Sequence, residues 1–274
     1  MIGAPALAAT AALRAGAGLV KMLVPQPIAG PALEICPSAT AIGLAVSPGG
    51  SLDASAAAEV LDRELPSASA LVIGPGMGTG DAVEQVVYRA LQQDEVPVVV
   101  DADALNAMAQ LNLTGHGLGA RAVLTPHPGE FARLARGLKI PQSPTDPETR
   151  PEACAAMARA LGCVVVLKGA GTVVSDGHRT WVCDRGHPCL ATGGTGDVLA
   201  GLIAGLVAQF LSPRGQPAGE GGAGLDLYDC ARVGVESHAR AGEAWAAAHH
   251  ASAGLLAAEL AGLVPAELER MRGD

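Results

Sequence analysis

Short apolar runs that stop on glycine, aspartate or proline and pass directly into helix-forming residues recur along this chain, and that alternation limits its fold more than any other feature. Residues 96–100 are β-branched and end on Asp101, after which residues 102–110 are helix formers. Residues 68–73 run in the same way into Gly74-Pro75-Gly76-Met77-Gly78, and residues 81–92 recover a helical period. Residues 122–124 lead into Thr125-Pro126-His127-Pro128, whose prolines end a strand and suit a helix start near Pro128. Near the start, residues 4–17 are helix formers, Gly16 and Gly18 break the pattern, and residues 19–24 form a strand. Residues 152–161 are read as a helix and 163–167 as a strand, while 172–175 and 180–183 pair around the turn Asp176-Gly177. The proline-rich residues 141–151 are a surface loop. Beyond Thr195 the chain is helical almost to the end, apart from the Gly/Pro-rich residues 212–224, a flexible insertion. Strands alternating with helices specify an α/β fold, a mostly parallel sheet with helices on both faces, and one domain over 1–274.

Charge and composition narrow the partners. The net charge of −9 and the lack of any Lys/Arg run exclude nucleic acid, because phosphate-backbone binding relies on clustered cations. Small molecules are expected instead. No stretch reaches the roughly 18 apolar residues of a membrane span, and the longest candidate, 198–208, carries two glycines. With neither a span nor a basic and apolar leader, the expected location is the cytoplasm. Six cysteines without a CxxC spacing are expected to be reduced thiols, most of them small core residues. Aromatics are only 2%, so a bound adenine lies between aliphatic side chains.

The most informative segment for chemistry is Ala191-Thr192-Gly193-Gly194-Thr195-Gly196-Asp197, followed by an apolar helix over 198–209. Small residues let the backbone approach a ligand, and a helix start offers unpaired N–H groups at a positive dipole end. That is an anion site. Asp197 is the anomaly: a carboxylate there repels an anion unless it takes a proton from an attacking hydroxyl, or else it simply caps the helix. Lys168 ends an apolar strand before glycines, placed either to meet a phosphate or to reach solvent from the strand end. His127, fixed between two prolines, either donates to a ligand or caps a local turn and Glu130. Asp101 and Asp103 are an acid pair or, as favoured here, an end-of-strand group and an N-cap with Asn106 nearby. His178, His249 and His250 are surface residues, and no set has zinc spacing. Neither a Walker A loop nor a G-x-G-x-x-G fingerprint occurs.

Gly194-Thr195-Gly196-Asp197 resembles the anion-hole motif of the ribokinase-like superfamily. Four more segments make the chain resemble the ADP/ATP-dependent NAD(P)H-hydrate dehydratases within it: Ile73-Gly74-Pro75-Gly76-Met77-Gly78, Val100-Asp101-Ala102-Asp103-Ala104-Leu105-Asn106, Leu124-Thr125-Pro126-His127-Pro128-Gly129-Glu130, and Lys168-Gly169-Ala170-Gly171-Thr172. Their order and intervals, with Ala11-Ala12-Leu13-Arg14-Ala15-Gly16-Ala17-Gly18-Leu19-Val20 near the start, carry the likeness over nearly the whole chain. The resemblance implies a ribokinase-like fold and a hydrated nicotinamide cofactor against Ala4, Gly76, His127 and Asp197. It implies an adenine nucleotide against Lys168, Gly169, Ala170, Gly171, Thr172 and Gly196, and an anion hole from Gly193, Gly194, Thr195 and Gly196. Asp197 is then the catalytic base: it deprotonates the added 6-hydroxyl, which attacks the terminal phosphate of ADP or ATP beside a phosphate-bound Mg²⁺, and phosphate elimination restores NADH or NADPH.

Among rivals, a kinase for a vitamin precursor shares Asp197 and the glycine loop but stops at the phosphoester, and a nucleotide sensor lacks turnover. Where the family more often has asparagine this chain has His187, which replaces only one of the amide's two functions at a time. Cys189 lies near the helix start, which favours its thiolate. ADP is the expected nucleotide and a homo-oligomer the expected assembly. Relatives begin with a strand and a glycine-rich loop ahead of the segment that starts here at Met1, so a sheet position beside the first helix is expected to be unfilled.

Overall fold

The computed structural model describes residues 1–111, 118, 121–211 and 224–273. Its centre is a six-stranded sheet in the order β3 (Leu71–Ile73), β4 (Val98–Val100), β5 (Ala122–Leu124), β6 (Val164–Leu167), β7 (Val173–Ser175), β8 (Thr180–Val182). The first four strands run parallel and the last two antiparallel. The inner strands β4, β5 and β6 are three or four residues each, nearly all β-branched or leucine, because both faces are buried and no polar position is needed. Side chains alternate between two cores. Val98, Val100, Ala122, Leu124, Val165 and Leu167 face one, packed by α3 (Ala54–Glu64), α4 (Asp81–Gln92), α5 (Asp103–Gln110), α6 (Pro128–Leu138) and α7 (Arg150–Leu161). Val99, Val123, Val164, Val166 and Val174 face the other, packed by α8 (Thr195–Phe210) and α9 (Leu227–His249).

The α1 helix (Gly3–Arg14) lies across α8 at close range. A Cβ on Gly201 would collide with the Ala8 carbonyl oxygen, and one on Gly205 would stand 2.7 Å from that of Ala12. The two glycines in the 198–208 run are therefore a packing seam, which brings the backbone of α8 against an alanine-rich partner. No helix among the described residues is long and apolar enough to cross a membrane.

Several boundaries differ from the sequence reading. The α7 helix starts at Arg150, so Arg150 and Pro151 are not loop; proline is tolerated in the first turn, whose N–H groups have no helical partner. Between 26 and 67 the sequence reading assigned nothing, yet α2 (Ala29–Ile35), β2 (Thr40–Leu44) and α3 lie there. β1 (Lys21–Pro25) pairs in parallel with β2 alone, as a second, two-stranded sheet. The apolar stretch 246–263 is interrupted, since α9 ends with His250 in the left-handed region and α10 (Ala257–Gly273) starts seven residues later. The 212–224 insertion falls, except for Gly224, outside the described residues. All six cysteines are free and buried, as expected of reduced thiols.

Candidate active site

The parallel strands β4, β5 and β6 deliver Asp101, Thr125 and Lys168 to one edge of the sheet, the carboxyl end at which open α/β sheets gather ligands. Lys168 Nζ lies 2.7 Å from Asp101 Oδ1 and 4.0 Å from Glu130 Oε2. Thr125 Oγ1 donates to the same Asp101 oxygen at 2.7 Å. Asp101 is 2% exposed, a burial that an aspartate tolerates only when paired and hydrogen-bonded in this way. Lys168 is thus part-buried and held by carboxylates, and it does not stand alone at the strand end. A Cβ built on Gly196 would be 3.4 Å from Lys168 Nζ and 4.0 Å from Asp101 Oδ2, so the ion pair sits directly over the start of α8.

That helix start is shaped from below. Gly194 is its N-cap at φ +92, a left-handed turn in which a Cβ would press on Leu7 and Ala257. Thr195 Oγ1 donates to Leu190 O and Thr192 O at 2.9 and 2.8 Å, and Thr192 Oγ1 donates to Cys189 O at 3.0 Å. The ring Nε2 of His238, from α9, lies 2.9 Å from Thr195 O. Burial pushes that imidazole down to about 4, so it is neutral and donates. The N–H groups of Thr195 and Val198 are bonded to Thr192 O and Gly194 O at 3.4 and 3.1 Å, which leaves those of Gly196 and Asp197 in the first turn of α8 for a ligand.

Asp197 is the third residue of α8 and not its cap. Burial foremost, then the charge of Asp101, push its carboxyl up to about 6; Asp103 adds to the rise and Lys168 opposes it. An aspartate in the first turn is ordinarily favoured by the helix dipole, so here desolvation and like charge outweigh it. The result is a proton acceptor poised near neutral pH.

The loop after β3 closes one side. Gly74 has φ +118 and a Cβ there would strike the Asp101 carbonyl oxygen, while Asp103 Oδ2 accepts from Gly78 N at 2.7 Å. Asp103 is therefore not the N-cap of α5. Ala102 is, at φ +51, a strained conformation for a residue with a side chain. Ala4 and Gly76 meet: a Cβ on Gly76 would be 3.2 Å from Ala4 Cβ.

His127 does cap. Its Nδ1 accepts from Gly129 N at 3.0 Å and Glu130 N at 3.4 Å, and Glu130 Oε2 accepts from His127 N at 2.8 Å, a reciprocal box at the head of α6. Burial, then Lys168 and Arg133, lower the imidazole pKa, leaving a neutral ring whose Nε2–H lies 3.4 Å from Glu130 Oε1. The ring stays half exposed, so capping and ligand contact are compatible. Glu130 is buried and its carboxyl is raised by that burial, against Lys168.

Residues 168–172 turn over Arg150, whose Nη2 donates to Leu167 O and Lys168 O at 3.1 Å each and whose Nη1 donates to Ala170 O. Thr172 Oγ1 donates to Gly169 O at 2.9 Å. Sequence reasoning missed Arg150 and His238. Neither belongs to a motif, and Arg150 lay in the segment read as loop. His187 caps a short 3-10 turn, its Nδ1 accepting from Cys189 N at 3.4 Å. Cys189 is buried, donates to Gly242 O at 3.3 Å, and has its thiol pushed up by burial, so desolvation overrides any thiolate preference from the helix start.

Comparison with known proteins bears on the chain as a whole. A family model described as NAD(P)H-hydrate dehydratase matches residues 1–265. The ADP-dependent (S)-NAD(P)H-hydrate dehydratase of Xanthomonas campestris is 36% identical over 273 residues, covering 98% of this chain and 84% of that protein. The chain spans less than half the length of the bifunctional NAD(P)H-hydrate repair enzymes that it also matches. Among solved structures, a ribokinase-like superfamily protein from Enterococcus faecalis V583 aligns with a TM-score of 0.76 at 25% identity, covering 98% of this chain and 82% of that one. The ADP/ATP-dependent NAD(P)H-hydrate dehydratase of Bacillus subtilis, co-crystallised with ATP/Mg²⁺ and soaked with CoA, aligns with a TM-score of 0.71 at 27% identity, covering 98% and 87%.

Proposed function

Since the chain belongs to the NAD(P)H-hydrate dehydratase family, we propose that it converts (6S)-hydrated NADH or NADPH back to the reduced cofactor at the expense of ADP or ATP. The observation that carries this reading is Asp197: a carboxyl raised to about 6, not used as a cap, in the first turn of a helix whose Gly196 and Asp197 N–H groups remain for an anion. At pH 7 roughly nine in ten such groups are ionised and able to take a proton. Asp197 removes the proton of the 6-hydroxyl, whose oxygen attacks the terminal phosphorus; the bond to the nucleotide's bridging oxygen breaks, and AMP or ADP leaves. Phosphate then departs from C6 with the C–O electron pair as the ring nitrogen's lone pair moves in, and the resulting iminium loses a proton from C5 to the released phosphate or to water. The C5–H electron pair forms the C5=C6 bond, which restores the dihydronicotinamide. The amides of Gly193 to Gly196 and the Lys168 ammonium face the developing phosphate charge. Asp101 holds Lys168 over Gly196. The nucleotide lies along Lys168 to Thr172, and the hydrated ring against Ala4, Gly76 and His127.

Among the described residues no three His, Cys, Asp or Glu side chains converge to hold a metal ion, and Asp101 and Asp103 are already engaged. That donor set fits Mg²⁺ held on the nucleotide's own phosphate oxygens, where the ion neutralises charge. ADP is the preferred nucleotide, in line with the Xanthomonas relative's name. The same proposal takes 1–274 as one domain acting in the cytoplasm on small molecules, as a homo-oligomer without nucleic acid or membrane. Support comes from the charge of −9, six free buried thiols, and the exposed apolar side chains of Leu19, Ile35 and Leu256.

Turnover of hydrated NADH with ADP and with ATP, side by side, tests the reading. A dehydratase yields NADH and phosphate, a kinase a stable phosphoester, and a sensor neither.

A further inference from the structure

Beside the site, between α5 and α6, lies a groove of about 520 Å³ bordered by Thr79, Asn106, Gln110, Arg133 and Arg136. Ligand pockets are commonly of this size. Its two arginines are one turn apart on α6 and so project to one side of the helix. Most described lysines and arginines lie within 4.0 Å of a carboxylate, as expected in a chain with a net charge of −9. Neither Arg133 nor Arg136 has such a partner among the described residues. Among the described residues, the one hydrogen bond of the Arg133 guanidinium is from Nη1 to Asn106 Oδ1, at 3.0 Å. That bond occupies the amide oxygen and leaves the Asn106 NH2 group as a donor toward the groove. Two guanidinium groups and an amide donor, in an acidic protein that pairs most of its other cations internally, form a receptor for an external anion with several oxygens.

The groove is bordered by the same elements that form the hydrate side of the site. Thr79 extends the loop that carries Gly76 and Gly78, and α6 is the helix that His127 caps. Arg133 is close enough to His127 to lower its pKa. The 168–172 segment leaves β6 toward β7, on the other side of Lys168 in the strand order. A dinucleotide whose reacting ring reaches Asp197 past Gly76 and His127 therefore lays its remaining length along α6.

We propose that this groove is the subsite for the phosphate-bearing tail of the hydrated dinucleotide, with Arg133 and Arg136 as its cationic ligands and Asn106 and Thr79 as hydrogen-bonding partners. The assignment rests on the dehydratase reading for the ligand's identity. The shared chemistry is a phosphate group, supplied by the diphosphate bridge, by the 2′-phosphate of the NADPH form, or by the adenine nucleotide.

The experiment separates these sources. Arg136→Gln and the double variant R133Q/R136Q are compared with wild type and with Arg14→Gln, an exposed charge control on α1. KM and kcat are measured for hydrated NADH, hydrated NADPH and ADP, and unhydrated NADH and NADPH are titrated by calorimetry. Expected is a rise of about tenfold or more in KM for a hydrate in the double variant, a smaller rise in R136Q, kcat changed less than the KM, and KM for ADP within twofold. A rise for both hydrates identifies the diphosphate, and a rise confined to the NADPH form identifies the 2′-phosphate; either supports the assignment. Unchanged hydrate KM, or an equal rise for ADP or in R14Q, overturns it. R136Q breaks no internal hydrogen bond, so it remains decisive if the double variant melts early. If wild type fails to turn over hydrated NADH the dehydratase reading is lost, while weakened NADPH binding in the variants still reports on the groove.

Discussion

Replacing Asp197 with asparagine should abolish turnover and, at the same time, make the unliganded protein more stable. The two effects have one cause. A carboxyl at about 6 against an ordinary 3.8 corresponds to a charged form disfavoured by on the order of 3 kcal/mol in the folded chain. Because the side chain is only partly buried, solvent screening reduces this to roughly 1 kcal/mol. The folded state binds the proton more tightly than the unfolded state, so stability is lost as pH rises from 3.8 to 6 and the full cost is present above that. Asparagine keeps the shape without the charge. At pH 8 the variant should melt roughly 2–4 °C above wild type, a gain that shrinks to nothing near pH 4. Turnover of hydrated NADH should fall by ~10²–10⁴ with nucleotide affinity retained or tightened, since a repelling charge is removed, and the acid limb of the wild-type rate profile should lie near pH 6. Melting curves at pH 4, 6 and 8 beside a phosphate-release assay decide it. A variant that melts below wild type at pH 8, or keeps more than half of its turnover, refutes the reasoning.

Lys168→Ala should weaken ADP binding more than binding of the hydrated cofactor, read by separate titrations, with equal losses counting against a nucleotide-side role. It should also cost about 3–5 kcal/mol of stability in chemical denaturation, since Asp101 is left buried without its cation. Gly201→Ala should lower the melting temperature by an amount equivalent to at least 1–3 kcal/mol, because the new methyl meets the Ala8 carbonyl and forces α1 off α8. A melting temperature within a degree of wild type would mean that the seam between the helices gives way freely.

What the sequence made legible was whatever is local. Val98–Val100 is all valine because both of its faces are buried, and Asp81–Gln92 has an acidic first turn and a buried stripe, so both were readable without partners. The stretch from 26 to 67 was not, because α2 and β2 are only seven and five residues long and mix alanine and glycine with a few larger side chains, too short to display a clear period. At the site, the helix start and its odd carboxylate stood out because Gly194 and Asp197 break local rules. The partnership of Lys168 with Asp101 spans 67 residues and that of Asp103 with Gly78 spans 25, so strand order alone creates them. His238 follows the same logic: nothing near it in sequence marks a histidine that supports Thr195 across 43 residues.

The charge balance of the site explains why so hostile a neighbour for an anion is useful. Asp197, Asp101 and Asp103 face one ammonium, Lys168, and that ammonium is already held 2.7 Å from Asp101. An incoming nucleotide adds negative charge, so in the ground state Asp197 works against binding, and the α8 amides and Lys168 must offset it. In the proposed reaction the repulsion is largest before the proton moves and vanishes as it moves, since Asp197 becomes neutral when the hydroxyl oxygen attacks. Favourable contacts at Gly193 to Gly196 persist throughout, while the unfavourable one is removed only on the way to the transition state. An interaction that improves at that point accelerates the reaction, whereas equal stabilisation of both states would only tighten binding. Burial raises the same carboxyl toward neutrality, so the feature that repels the anion also makes the group a competent base.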